Sequence, residues 1–440
     1  MRRGGKVRGR RFLQDIFRSL ALARTLLSVF TSLNLVRRNS KLRVPSMTSQ
    51  SRRILFGITS GIALAHLGNF IYFPILVSKL GAQHSGTMAG FIIFLTYFGR
   101  LTASFLYQGF AQRLGNRNGI VVGIMLEGIA LLLMGFTTML PAYAILAFLV
   151  GLGSGLSFPG LKNILSAFPE GERPRAFSFF QMACQLGSIG GALLGSLFDA
   201  SNMALVFSVV FALFVGYSVS VYLIFPNSER AKNRSPLLDF NVIKNFKWSN
   251  GGSYFALSSV YWFLYINFVL AIALHIPKFA PALSVSTPFW ITGTTLLILQ
   301  APVISLVTKR LSSEKIMLLA FSFMTLAFFI LGIGRIELWV ICASTVVVLG
   351  EILFVPAFDL WVAKKVPADK LAQAMGSMHF FRSFGNMAGT FTAGVLFDLS
   401  ISAGRPGLNW IITGALAATA VLLLAFQSKT IAANDGELQT

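Results

Sequence analysis

The chain has 440 residues, 55% of them hydrophobic, 12% charged, and 42 of them phenylalanine. That balance excludes a soluble globular domain, which carries about twice the charge and breaks its apolar runs far more often. The net charge of +22 does not mark a nucleic-acid binder, because residues 1–53 alone supply +13, with 14 of the 37 Lys and Arg against a single acid, Asp15.

Residues 1–46 are Arg-rich and acid-poor, with Phe12, Ile16, Leu20, Leu27 and Phe30 roughly at helical spacing. Two readings stay open. The segment is an amphipathic or presequence element, or translation begins at Met47, whose MTSQSRR leads directly into the first apolar run. The second is simpler, since none of the later spans needs the extension.

From residue 54 onward, apolar runs recur at 54–77, 86–108, 119–139, 142–165, 176–197, 203–225, 254–276, 286–307, 316–334, 337–361, 373–397 and 408–427. Each is long enough for a helix rising 1.5 Å per residue to cross a hydrocarbon core of about 30 Å. Membrane strands need about ten residues of alternating polarity. That pattern is absent, so the spans are expected to be helices, which satisfy their own backbone groups in lipid. With both termini placed in the cytoplasm, the five cytoplasmic loops hold 15 Lys and Arg, among them QRLGNRN (112–118), SERAKNR (228–234), TKRLSSEK (308–315) and AKKVPADK (363–370). The external loops hold four: Lys79, Lys278, Arg335 and Arg405. That asymmetry sets the orientation.

The longest loop, 226–253, divides the spans six and six, and an internal repeat supports the division. Pro159 and Pro356 are 197 apart, as are Gly153 and Gly350; Gly187 and Gly385 are 198 apart, as are Gly191 and Gly389. AQRLGNR (111–117) aligns with TKRLSSE (308–314) at the 197 offset. The expected fold is all-α and integral to the membrane, with twelve transmembrane helices in two pseudo-symmetric six-helix halves around a central cavity. Its expected parts are the extension 1–46, the halves 47–225 and 254–428, the cytoplasmic linker 226–253 and a cytoplasmic tail 429–440.

Cys184 and Cys342 fall inside spans, the four histidines have no metal-ligand spacing, and no GxxxxGK[ST] loop is present. A disulfide framework, a metal site, a cofactor and direct use of ATP are therefore not expected. No catalytic constellation points to an enzyme.

In chain order, the first span carries His66, Asn69 and Tyr72 at successive threes, and the second carries Arg100. QGFAQRLGNR (108–117) comes next, then Glu127 in the third span. The fifth span carries Gln181 and Gln185 and then GSIGGALLGS (187–196), whose Gly187, Gly191 and Gly195 clear one helix face for close approach. These motifs make the chain, over residues of about 52–428, resemble the major facilitator superfamily. Arg113, Gly115 and Arg117 match the family's loop signature between helices 2 and 3. Gln112 stands where the family's latching Asp would be, and Gln108 stands where the signature's first Gly would be, with Gly109 one place late. The glycines of the fifth span resemble the helix-5 signature of the family's antiporters, with Ala192 and Ser196 replacing its Pro and last Gly. The antiporters' helix-4 arginine is missing, since Ala147 and Leu149 occupy the candidate places. GEILFVPAFD (350–359) and the Gly385/Gly389 pair look most like the exporters.

The seventh span places Ser258, Tyr261, Trp262 and Tyr265 on one face, and aromatics with polar tips suit amphipathic ligands. An ionisable group at the centre of a span costs about 3 kcal/mol on insertion scales and usually finds a partner. Arg100 and Glu127 share a depth and could pair, as could Glu351 in the tenth span and Arg382 in the eleventh. The first pair is read mainly as pinning helices, the second as proton-coupling, with Glu351 facing the cavity and a cation. Pro356 is an expected flex point, and Asp359 an expected solvated end residue beside Lys364 and Lys365.

The resemblance implies a secondary transporter that exports a small amphipathic compound (a drug, siderophore or other metabolite) in exchange for protons. Import, symport or facilitated passage of a small nutrient stays open. The expected partners are that substrate, protons and the lipid bilayer, with no nucleic acid, for a monomer in the bacterial inner membrane.

Overall fold

The computed structural model describes residues 48–166, 168–169, 172–198, 202–225, 252–308, 310–334, 337–365 and 371–437. The extension 1–46 and nearly all of the linker 226–253 lie outside these residues. The described residues form twelve helices: α1 Ser49–Gln83, α2 Gly86–Leu114, α3 Asn116–Phe136, α4 Leu140–Ser166, α5 Arg173–Gly195, α6 Met203–Ile224, α7 Gly252–Phe279, α8 Thr287–Val307, α9 Ser313–Ile333, α10 Glu337–Lys365, α11 Leu371–Ser402 and α12 Leu408–Glu437. Every expected span is one of them. Among the described residues, ten are long and apolar enough to cross a membrane by length and composition. Several helices outrun the apolar runs that announced them, because a helix continues as long as its backbone ladder is intact, whatever the solvent. Thus α12 carries most of the expected tail as helix, to Glu437, and α10 runs on through Pro356.

Packing follows the repeat. In the first half α1 packs on α5, α2 and α3 on α4, and α3 on α6; in the second α7 packs on α11, α8 and α9 on α10, and α9 on α12. The glycine pairs explain one of these matches. A methyl group at Gly187 would collide with the Ala63 carbonyl and one at Gly191 with that of Leu67; at Gly385 and Gly389 it would meet the carbonyls of Ser259 and Phe263. Small residues at this spacing let two backbones approach where lipid offers no hydrophobic drive for association. The halves then meet through α2 on α11, α5 on α8 and α1 on α7.

Those meetings shut the end opposite the basic loops. The Asp398 carboxylate of α11 accepts the Gly86 and Thr87 amides at 2.8 and 2.7 Å and the Thr87 hydroxyl at 2.7 Å. It thereby satisfies two orphan donors at the start of α2. Phe289 of α8 sits edge-on to Phe70 and Phe73 of α1, at 6.0 and 6.2 Å between ring centroids. Toward the basic-loop end, Gln181, Asp359 and Arg382 are exposed on span helices, and Asp359 and Arg382 lie within electrostatic reach of Lys162 and Arg100 of the opposite half. A cleft thus enters the molecule from that end.

Candidate functional site: a charged cleft between the halves

In the second half, α10 presents Glu351, half-buried. Tyr265 of α7 faces its carboxylate, and Arg382 of α11 lies within electrostatic reach. The Arg382 guanidinium rests on the Trp262 ring, 3.6 Å from its centroid, a cation–π contact worth about 0.5–2 kcal/mol. Tyr261 lies outside the cleft: it is fully buried, stacked on Phe354 at 3.7 Å with rings 4° from parallel. Ser258 is buried as well.

In the first half, Arg100 of α2 donates through Nε to Ser154 Oγ at 2.7 Å and lies over the Tyr97 ring at 5.3 Å. Glu127 of α3 is only 4% exposed, set among Tyr72, Tyr217 and Arg100 at electrostatic reach. The two acid–base pairs read from the sequence are therefore brought together in depth but not joined. Among the described residues neither Arg100 with Glu127 nor Arg382 with Glu351 makes a salt bridge, because Ser154 takes the first arginine and Trp262 the second.

His66 Nδ1 lies 3.1 Å from Ser188 Oγ. Ser188 spends its own proton on the Cys184 carbonyl at 2.8 Å, so its oxygen accepts and the histidine donates from Nδ1. The imidazole Nε2 is left as the acceptor. Asn69 is half-buried, and its Oδ1 has no hydrogen-bond partner. Gln185 is half-buried and Gln181 exposed, whereas Tyr72 is buried against Phe207, 5.3 Å away.

The signature loop braces its own half. Gly115 takes φ 82° at the turn from α2 to α3, a conformation that glycine adopts at least cost. Arg117 lies over the Tyr222 ring of α6 at 4.7 Å. Arg113 is exposed and Gln112 half-buried. Gly195 packs against the Ile71 backbone, as Gly187 and Gly191 do against α1 one and two turns earlier.

Five residues of the site escaped the sequence reading: Tyr97, Ser154, Lys162, Asp398 and, in its true setting, Asp359. Asp359 is exposed, as expected, but it faces Lys162 of α4 and Arg382 and is more than a solvated end residue. The repeat offset held the signal, since Lys162 and Asp359 are 197 apart and so are Ser154 and Glu351. Equivalent positions of α4 and α10 thus carry opposite charges at the mouth, and a hydroxyl against a carboxylate deeper in.

Twelve described helices in two matched halves, ten of them long and apolar enough to span, with ionisable side chains converging on a cleft open at one end, point to a polytopic membrane transporter. The profile of the Major Facilitator Superfamily matches residues 58–390, and the chain belongs to that superfamily. Among curated relatives, it is 26% identical over 323 residues to the uncharacterized MFS-type transporter YttB of Bacillus subtilis, covering 71% of this chain and 80% of that one. It is 24% identical over 388 residues to multidrug resistance protein MdtH of Klebsiella pneumoniae, covering 86% and 94%. Two solved structures share the fold: a POT family transporter in complex with 5-aminolevulinic acid (TM-score 0.70, 16% identity, 86% of this chain and 96% of that one), and the nucleoside transporter NupG (0.67, 14%, 84% and 99%). The chain is a multi-pass membrane transporter and not an enzyme.

Proposed function

We propose that the protein is a proton-coupled exporter of small amphipathic compounds, working by alternating access in a bacterial inner membrane with the basic loops and both termini in the cytoplasm. The observation that carries this reading is Glu351, a mid-span carboxylate beside a cleft, with Arg382 near but unbonded. A carboxylate with a cation near it but, among the described residues, not bonded to it is suited to take up and release a proton as the halves rock. The likeness in sequence to MdtH supports export. On this reading the described form is open to the cytoplasm, ready to load.

One observation favours a second reading, import by symport. Glu351 and Arg382 lie within electrostatic reach, so protonating Glu351 would leave the Arg382 charge less opposed for a negatively charged ligand, and proton and ligand would bind together. The deciding experiment compares small molecules inside cells and in the medium for a strain lacking the protein and the same strain complemented. A compound retained inside the deficient cells and restored to the medium supports export and nominates the substrate. A compound left in the medium and missing from the deficient cells means import, and Glu351 becomes a symport site.

A further inference from the structure

We propose that the cleft binds the anionic group, a carboxylate or phosphate, of an otherwise apolar ligand between Arg100 and Arg382, the buried Trp262 ring holding the Arg382 guanidinium in place. This rests on the cleft being the substrate path and names the class of substrate. The two guanidinium groups come from α2 and α11, one from each half, and lie within electrostatic reach of each other. Both also lie within electrostatic reach of His66. Among the described residues, no carboxylate forms a salt bridge with either. Arg100 commits its Nε to Ser154, which leaves its two terminal nitrogens for a ligand. Arg382 commits its face to Trp262, which leaves its in-plane donors.

Guanidinium groups match carboxylates and phosphates in bidentate geometry. Of the nearby acids, Glu127 lies buried within the first half and Glu351 behind Tyr265, while Asp359 at the mouth, also within reach of Arg382, is countered first by Lys162. The positive charge therefore faces the cleft.

The test is isothermal titration of the purified full-length chain in detergent at pH 7 with three probes of one shape: 2-naphthoate, 2-naphthylmethylammonium and 2-naphthalenemethanol. Naphthoate is expected to bind at least tenfold tighter than the ammonium. Arg100→Gln and Arg382→Gln are each expected to weaken naphthoate at least tenfold while leaving the alcohol within twofold. Arg382→Lys, which keeps the charge without the planar fork, should weaken naphthoate less than Arg382→Gln. Retained binding of the alcohol shows that a variant is folded; if Arg100→Gln is not, the two Arg382 variants carry the test. An ammonium bound as tightly as naphthoate, naphthoate binding unchanged in the folded glutamine variants, or no naphthoate binding up to 10 mM would overturn the proposal. Binding in detergent needs no gradient, so it can succeed where the export reading fails, and the reverse.

Discussion

The two halves share a packing plan and differ in what they do with it. Each has one intramembrane carboxylate with two tyrosines and an arginine at electrostatic reach: Glu127 with Tyr72, Tyr217 and Arg100, and Glu351 with Tyr261, Tyr265 and Arg382. In the first half the acid sits on α3, away from the inter-half surface, and is almost wholly buried. In the second it sits on α10, half-buried beside an exposed arginine. The position of α4 equivalent to Glu351 is Ser154, and that hydroxyl holds Arg100 in place. One repeat thus supplies a cation held by a hydrogen bond, and the other, on the proposed function, the acid that carries the proton. A duplicated scaffold conserves the backbone contacts that build it and lets the side chains at equivalent sites diverge.

The largest effect expected to test this contrast is the loss of gradient-driven transport in Glu351→Gln, with normal yield and melting behaviour. The matching Glu127→Gln should keep transport, since replacing a buried, weakly paired charge by its neutral isostere removes a desolvation cost. Proton-driven exchange intact in the first variant, or lost in the second, would break the assignment of roles. Next come the shared contacts. Gly187→Leu and Gly385→Leu should each lower thermal stability, by at least the roughly 1–3 kcal/mol of an overpacked core, and by similar amounts, since each meets a carbonyl of the partner helix. Unequal effects in a melting assay would show that the halves are not packed alike.

Third, Arg100→Ala should reduce expression, because it removes a charge-assisted bond worth about 1.5–3 kcal/mol, and the protein that does fold should also bind anionic ligands more weakly. Intact expression with lost transport would make Arg100 a transport residue first. The smallest effect is expected at the closed end. Asp398→Asn weakens the bonds to Gly86 and Thr87 by about 0.5–2 kcal/mol and should favour the form open at that end. A cysteine placed at Thr292, one turn further along α8 and outside the ring contacts, should then label faster from outside; an unchanged rate would mean that the aromatic contacts alone hold this end shut.

Much of this was legible in the sequence. The twelve spans were readable because lipid imposes a length and a composition on every helix that crosses it. The halves were readable because the offsets of 197 and 198 survive in Pro159/Pro356 and Gly187/Gly385, residues whose backbone roles tolerate little else. Glu351 and Arg382 stood out because charge in a span is rare. The sequence by itself therefore determined the number of helices, the duplication and the candidate charges.

Only the tertiary structure decided which of those charges meet. Depth along a helix says nothing about the angle at which a side chain leaves it or about competing partners. Arg100 turns to Ser154 and Arg382 to Trp262, so neither closes on its expected carboxylate. Tyr261 and Tyr265 share one face of α7, yet Tyr261 is sealed against Phe354 while Tyr265 reaches Glu351. Asp398 finds Gly86 more than 300 residues away. Hydropathy and periodicity are set locally by solvent and backbone, whereas a site between two halves depends on contacts that form only when the halves come together.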